Sequence, residues 1–282
     1  MSALARWFNQ QGVRVWGYDR AATALTEQLI QEGIGIHFED TIAAIPPEVL
    51  HNKQQSLVVY TPAIPKQQTI LRYLSAHQYT LHKRAEMLGM ITQQHFTVAI
   101  AGTHGKTTTT ALMAHVLYSA GKNMTAFLGG TAKGYDTNLV IQGKGNKNRI
   151  VVIEADEFDR SFLHLHPDVA IVTTVDPDHL DTYGDKQGFE AGFCDFIRSV
   201  PQQGPVIIHQ EAAKKLLAHG CMPHRVQYAL AEAPIRAANI RISSGHFWFD
   251  YISEKVTIKD IRLAVPGYHQ VENALAVITA CL

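Results

Sequence analysis

Short apolar, β-branched runs that stop at glycine, proline or an acid alternate along this chain with stretches whose apolar residues recur at helical spacing. From the start, the pattern predicts a helix over 2–11, a strand over 13–19, a helix over 22–32 and a strand over 34–38. A break at Pro46-Pro47 follows, then a buried strand over 56–65 that runs into a proline-fixed loop, a helix over 68–77 and a strand over 80–83. A linking helix over 84–91 leads into a second series. That series holds a strand over 97–101, a helix over 106–118, strands over 125–128 and 138–142, and a polar turn over 143–149. Apolar strands beginning at Ile150 and Asp168 both end in acids, further strands fall over 205–209 and 225–230, and 240–261 is β-rich. The last apolar stretch turns through Pro266-Gly267 into a helix that is still running at Leu282.

Strand and helix in alternation predict an α/β protein with parallel sheets. The domains expected are 1–92, Rossmann-like, and 93–282, a P-loop ATPase-type α/β unit. In the first, the strand over 13–19 takes the place of a second Rossmann strand, because it ends in Asp19 and follows a helix with no strand or glycine loop before it. The first strand is therefore expected to be missing and the chain to start late. Asp19 reads equally as an acid that reaches a ribose hydroxyl or as a turn residue.

Composition narrows the class without naming it. Apolar residues make up 46% and charged residues 18%, enough apolar surface for full cores. Lys+Arg and Asp+Glu number 25 each, which speaks against a nucleic-acid footprint. No apolar stretch has the length of a membrane span, and the opening residues have no signal-peptide shape. Cys194, Cys221 and Cys281 lie far apart and form no metal-like pair, so a reducing, cytoplasmic compartment is expected. Most of the histidines, among them His209 and His219, have no neighbouring carboxylate in the sequence and are expected to serve at the surface or in packing.

The candidate chemistry begins at Gly102-Thr-His-Gly-Lys-Thr-Thr108, between an apolar strand and a helix. That geometry converges backbone N–H groups and a helix N-terminus on a phosphate. The glycines permit close approach, Lys106 supplies a point charge, and the Thr107 hydroxyl can ligate Mg²⁺. The loop is shorter than the strict P-loop, since Ile100 stands where that pattern has its first glycine. The alternative, an ordinary strand-to-helix turn containing Gly-Lys-Thr, lacks a reason for the apolar strand and helix around it. Two further polar clusters end apolar strands, Glu154-Ala-Asp-Glu157 and Asp176-Pro-Asp-His-Leu-Asp181. In a doubly wound sheet such ends line one crevice. Mg²⁺ takes oxygen ligands and usually one or two protein carboxylates, which suits Thr107 and Glu154 better than the softer His179.

These residues together resemble the Mur ligases. The resemblance rests on the Gly102 to Thr108 loop, on Glu154-Ala-Asp-Glu-Phe-Asp-x-Ser-Phe162, on Asp178-His-Leu-Asp181, and on Gly267-Tyr-His-x-Val-x-Asn273-Ala, and it runs along essentially the whole chain. It implies a Rossmann-like domain for a UDP-sugar, a central ATPase domain, and a C-terminal amino-acid domain that is absent here. By resemblance, Gly102, Thr103, His104, Gly105, Lys106, Thr107 and Thr108 hold the ATP phosphates. Thr107, Glu154 and His179 match the magnesium positions, with Lys106, Glu154 and His179 as the catalytic set. His269 and Asn273 match the motif that reaches adenine, and Asp19, Thr61 and Asn138 are candidates for UDP-sugar contacts.

The implied cofactors are ATP and Mg²⁺. The implied reaction joins L-alanine to UDP-N-acetylmuramate through an acyl phosphate, in peptidoglycan precursor synthesis. Met1-Ser-Ala-Leu-Ala, Arg84-Ala-Glu-Met-Leu and Asp178-His-Leu-Asp-Thr-Tyr183 look like the L-alanine-adding members. The alternatives are a recycling ligase that adds a preformed murein tripeptide, a P-loop kinase or GTPase, and a non-catalytic ATP-binding fragment. With the amino-acid domain absent, this chain alone is expected to bind ATP without ligating.

Overall fold

The computed structural model describes residues 1–282 apart from 66, 132–133, 179 and 222–224, with Leu180 and Asp181 described by backbone only. The chain divides into two compact units, Met1–Met90 and Ile91–Leu282.

The first unit opens with α1 (Ser2–Gln10), β1 (Trp16–Tyr18), α2 (Ala24–Gln31) and β2 (Gly35–His37). It continues with α3 (Pro47–His51), β3 (Val58–Tyr60), α4 (Thr69–Ala76), β4 (Leu81–Lys83) and the start of α5 (Arg84–Gln93). The strands are shorter than the apolar runs predict, each three residues long. They form two separate parallel pairs, β1 with β2 and β3 with β4. Helix ends carry most of the local specification. Thr23 and Thr26 cap α2 reciprocally, the Thr26 hydroxyl standing where a Glu or Gln is more usual. The Asp40 carboxylate accepts the Thr69 and Ile70 amides at the head of α4, at 2.7 and 2.9 Å. The core is small. Ile45, Ile70, Leu74 and Tyr79 are buried together, with Tyr18 and Val58 packed against them. Near α1, Arg6 is buried and paired with Glu32 at 2.7 Å.

The second unit is built on one ten-stranded sheet. Its strands are β5 (Phe96–Ala101), β6 (Met124–Phe127), β7 (Leu139–Gln142), β8 (Ile150–Ala155), β9 (Val169–Val172), β10 (Val206–His209), β11 (Arg225–Ala229), β12 (Ile235–Ser243), β13 (His246–Ile252) and β14 (Thr257–Leu263). Its helices are α6 (Lys106–Ser119), α7 (Leu180–Tyr183), α8 (Lys186–Arg198), α9 (Gln210–Leu216) and α10 (Tyr268–Cys281). Across the sheet the order is β14-β13-β12-β11-β10-β9-β5-β8-β6-β7. Strands β12 to β6 in that order run parallel, while β7 and the β13–β14 hairpin run antiparallel at the two ends. The β-rich stretch read over 240–261 is this hairpin region, and the run over 138–142 is the edge strand β7.

Burial explains the pattern. β6 and β9 are buried at every position and β5 at all but Phe96, the mark of strands covered on both faces. Helices α6 and α10 share one core with the sheet, through Met113, Ala114, Val271 and Leu275. On β14 no position is buried, and exposed and half-buried residues mix, as befits an edge.

The expectation that the three cysteines stand apart is corrected here. Cys194 and Cys221 are joined by a disulfide, with 5.3 Å between their Cα atoms. They are 27 residues apart in sequence, but α8 and the segment after α9 pack side by side, so chain distance misreads spatial distance. The spacing of the cysteines in sequence did not reveal this pair. No helix among the described residues is long and apolar enough to cross a membrane.

Candidate functional site

Strand β5 lies at the centre of the sheet with β8 on one side and β9 on the other, so the chain reverses its winding direction there. Open α/β sheets bind ligands outside the strand ends at such a point. The Gly102 to Thr108 loop leaves β5 at that end, and β8 and β9 deliver the two acidic clusters beside it.

The loop is stitched to the strand next door. The Thr103 and His104 amides donate to the Thr174 carbonyl and hydroxyl, at 3.0 and 2.8 Å. The Thr173 hydroxyl donates to the His104 carbonyl at 2.5 Å. Thr103 exchanges two bonds with the Asp176 backbone, at 2.9 and 3.0 Å. Gly102 is required by this closeness. Its φ is +138°, and a Cβ there would stand 2.8 Å from the Thr174 amide. Gly105, at φ +83°, caps α6 with no side-chain bond. The loop amides before it are spent on Thr174, while the first turn of α6 keeps its amides for an incoming acceptor.

Two polar pairs face this helix start. The Thr107 hydroxyl donates to Glu154 Oε1 at 2.5 Å, and the Gly129 amide donates to Glu154 Oε2. A Cβ at Gly129 would collide with that carboxylate, so the glycine makes room for it. Lys106 Nζ meets both oxygens of Glu157, at 2.7 and 2.8 Å, and the Gly102 carbonyl at 2.6 Å. Tyr183 donates its O–H to the Glu157 carbonyl at 2.6 Å. Burial holds the Tyr183 phenol above its ordinary pKa, so it remains an O–H donor.

Lys106, Thr107, Glu154 and the loop thus converge. Asn273 joins them, buried on α10 with its Oδ1 3.1 Å from where a Gly105 Cβ would stand. His269 lies exposed one turn earlier, its ring against Gly267. His104, Thr107 and Thr108 are exposed at the loop, and Thr103 is half-buried. Asn138 is half-buried, and its carbonyl accepts the Leu128 amide beside Gly129. Asp19 and Thr61 belong to the first unit, where each accepts a local amide two residues on, from Ala21 and Ala63. His179 lies outside the described residues.

Sequence reading missed Glu157 as a partner of Lys106, although the acid was already in the motif. The acids that end β8, beside the strand that leads into the Lys106 loop, were the available signal. It also missed Thr173, Thr174 and Gly129, whose roles depend on contacts across strands. Two histidines read as isolated have carboxylate partners from distant segments: His209 with Glu272 and His219 with Glu190, both at 3.0 Å.

Models of two family regions match this chain: the Mur ligase family catalytic domain over residues 1–96 and the Mur ligase middle domain over 100–281. The chain belongs to the Mur ligase family. A curated UDP-N-acetylmuramate–L-alanine ligase from Christiangramia forsetii is 42% identical over 282 residues, all of this chain and 60% of that protein. The corresponding ligase from Flavobacterium johnsoniae is 43% identical over 99% of this chain and 59% of its own length. The chain therefore spans about 60% of the curated Mur ligases it matches. Among solved structures, the UDP-N-acetylmuramate-alanine ligase of Thermotoga maritima aligns over 99% of this chain and 61% of its own, with a TM-score of 0.80 and 25% identity.

The residues present fit a magnesium–nucleotide group. Thr107 and Glu154 offer two hard oxygens already within one hydrogen bond of each other, the donor type Mg²⁺ takes alongside phosphate oxygens. Among the described residues no cluster of three or more His, Cys, Asp or Glu forms a self-sufficient metal cage. A site that shares its metal with substrate phosphates needs none.

Proposed function

We propose that this chain carries the UDP-sugar-binding and ATP-binding parts of a ligase that joins L-alanine to UDP-N-acetylmuramate. The observation that supports this reading best is the loop at the end of β5, where Lys106, Thr107 and Glu154 meet a helix start without a side-chain cap. Relatives of 39–43% identity that are named UDP-N-acetylmuramate–L-alanine ligases support the choice of amine.

In this reading the amides at the start of α6 bind the ATP phosphate chain and Lys106 places a positive charge on it. Thr107, Glu154 and the family position His179 would hold Mg²⁺, which supplies charge neutralisation between phosphate oxygens. Asn273 and His269 on α10 serve the nucleotide's adenine side. Asp19, Thr61 and Asn138 are the proposed UDP-sugar contacts. The sugar's lactyl carboxylate attacks the γ-phosphorus of ATP and expels ADP. The L-alanine amine then attacks the acyl phosphate and expels phosphate. The enzyme's contribution is orientation and fixed charge more than covalent chemistry.

Phosphate release with UDP-N-acetylmuramate, Mg·ATP and either L-alanine or the murein tripeptide tests this, run on the chain alone and on the chain supplemented with the remaining portion of a relative. We expect ATP binding but no turnover from the chain alone, and L-alanine-dependent turnover from the supplemented enzyme. Turnover with the tripeptide only would move the reading to cell-wall recycling. Alanine-dependent release from the chain alone would overturn the expectation that this portion does not ligate.

A further inference from the structure

Lys106 has three N–H donors, and all three are spent inside the protein, on the Gly102 carbonyl and on both oxygens of Glu157. The pair is sheltered, with side-chain exposures of 16% for Lys106 and 3% for Glu157. A phosphate can therefore reach this lysine only by taking the place of an acceptor it already has.

Glu157 is also held by a backbone that would not adopt its shape without reason. Just after it, Asp159 and Arg160 both lie at positive φ, 56° and 54°, a region residues with a Cβ seldom occupy. Such conformations persist where surrounding contacts over-determine them, and they gather at functional sites. The contacts are present. The Phe158 and Phe162 amides bond the Asp156 carboxylate and carbonyl, at 3.1 and 2.9 Å. The Arg160 amide and the Tyr183 hydroxyl both donate to the Glu157 carbonyl, and the Arg160 guanidinium stands 5.0 Å from the Tyr183 ring centre. The turn after β8 is thus clamped on both sides of a carboxylate aimed at Lys106.

We propose that Glu157 is a positioning residue, the internal counter-ion that keeps Lys106 withdrawn until a polyphosphate exchanges for it. This rests on the reading of the Gly102 to Thr108 loop as the ATP phosphate site. Departure of the lysine altogether would leave a buried carboxylate without a cation. Lys106 therefore keeps one Glu157 oxygen and gives up the other, bridging carboxylate and phosphate. The arrangement opposes premature anion binding, because the entering polyphosphate meets a negative neighbour as well as a lysine already engaged.

The test is calorimetric titration of ATP and of AMP into the wild-type chain, Lys106→Ala, Glu157→Gln and Glu157→Asp. Glu157→Gln keeps the side-chain volume and one acceptor but removes the charge. ATP should bind it about tenfold more tightly, the scale of one partly screened like-charge repulsion, with AMP unchanged. Mere damage to the fold would weaken binding, so the sign separates the two roles. Glu157→Asp draws the carboxylate back from Nζ and should tighten ATP binding by a smaller factor; it decides the matter alone if Glu157→Gln does not fold. Equal or weaker ATP affinity in the folded variant would overturn the proposal. A wild-type chain that binds ATP no better than Lys106→Ala would instead overturn the phosphate-site reading on which it rests.

Discussion

The two units are written in the same hydrophobic alphabet and reach different degrees of order. In the second, β5 pairs along its length with β8 on one side and β9 on the other, and five of its six residues are buried. In the first, every strand is three residues long, the strands pair only two by two, and β3 is half-buried throughout. A strand bonded on both edges and covered on both faces holds its end still, so the loop that follows it is placed to within a hydrogen bond. A strand bonded on one edge leaves the residues after it to local turns, as at Thr61, whose carbonyl and hydroxyl accept the Ile64 and Ala63 amides. Precision at a site thus follows from how fully the strand beneath it is paired, more than from how apolar that strand is.

The largest test of this contrast is Lys106→Ala. Removing the lysine leaves Glu157 buried and unpaired, which should cost the second unit about 3–5 kcal/mol while the first unit is untouched. Hydrogen exchange read peptide by peptide checks this, with ATP titration alongside. Faster exchange in both units would mean that they do not behave separately. Under the proposed function, the same variant supplemented with the remaining portion of a relative should lose ADP formation and keep UDP-sugar binding.

Next in size is Leu74→Ala, at the centre of the small core. It should destabilise the first unit by about 2–4 kcal/mol and open it to exchange and proteolysis at denaturant levels that leave β5 and β8 protected. A single cooperative transition shared by all peptides would break the comparison.

The smallest effect sharpens it by pH. Burial alone would raise the Asp40 pKa, but the Thr69 and Ile70 amides outweigh that and hold the carboxyl below its ordinary value. Because the folded pKa is the lower one, the stabilisation is present above the unfolded value of about 4 and is lost as pH falls through the folded value. Asp40→Asn should flatten that acid limb in peptides of the first unit and leave the second unit's profile unchanged. An identical acid limb in both proteins would show that the capping bonds at α4 do not carry it.

Much of the fold and part of the site were legible in the chain. The apolar run before Gly102, the helical spacing after Lys106 and the acids ending β8 announced a phosphate loop with carboxylates nearby, because each signal is local. Glu157 was visible as an acid but not as the partner of Lys106, since that pairing depends on a strained turn and on Tyr183 from another element. The Cys194–Cys221 pairing was missed for the same reason, as were the partners of His209 and His219. Their partners, Cys221 for Cys194 and Glu272 and Glu190 for the histidines, lie distant in sequence. Strand lengths in the first unit were overestimated because apolar residues beside the short strands, Val13 before β1 and Leu57 before β3, are exposed and do not mark paired strand.

What the sequence by itself determined is the α/β alternation, the position of the phosphate loop and the residue types that serve it, all encoded over a few neighbouring residues. Tertiary structure alone decided the order of the ten strands, the stitching of the loop to Thr173 and Thr174, and the capture of Lys106 by Glu157. Those contacts join segments distant in sequence that lie side by side around β5, where hydrogen-bond reach, rather than sequence distance, selects the partners.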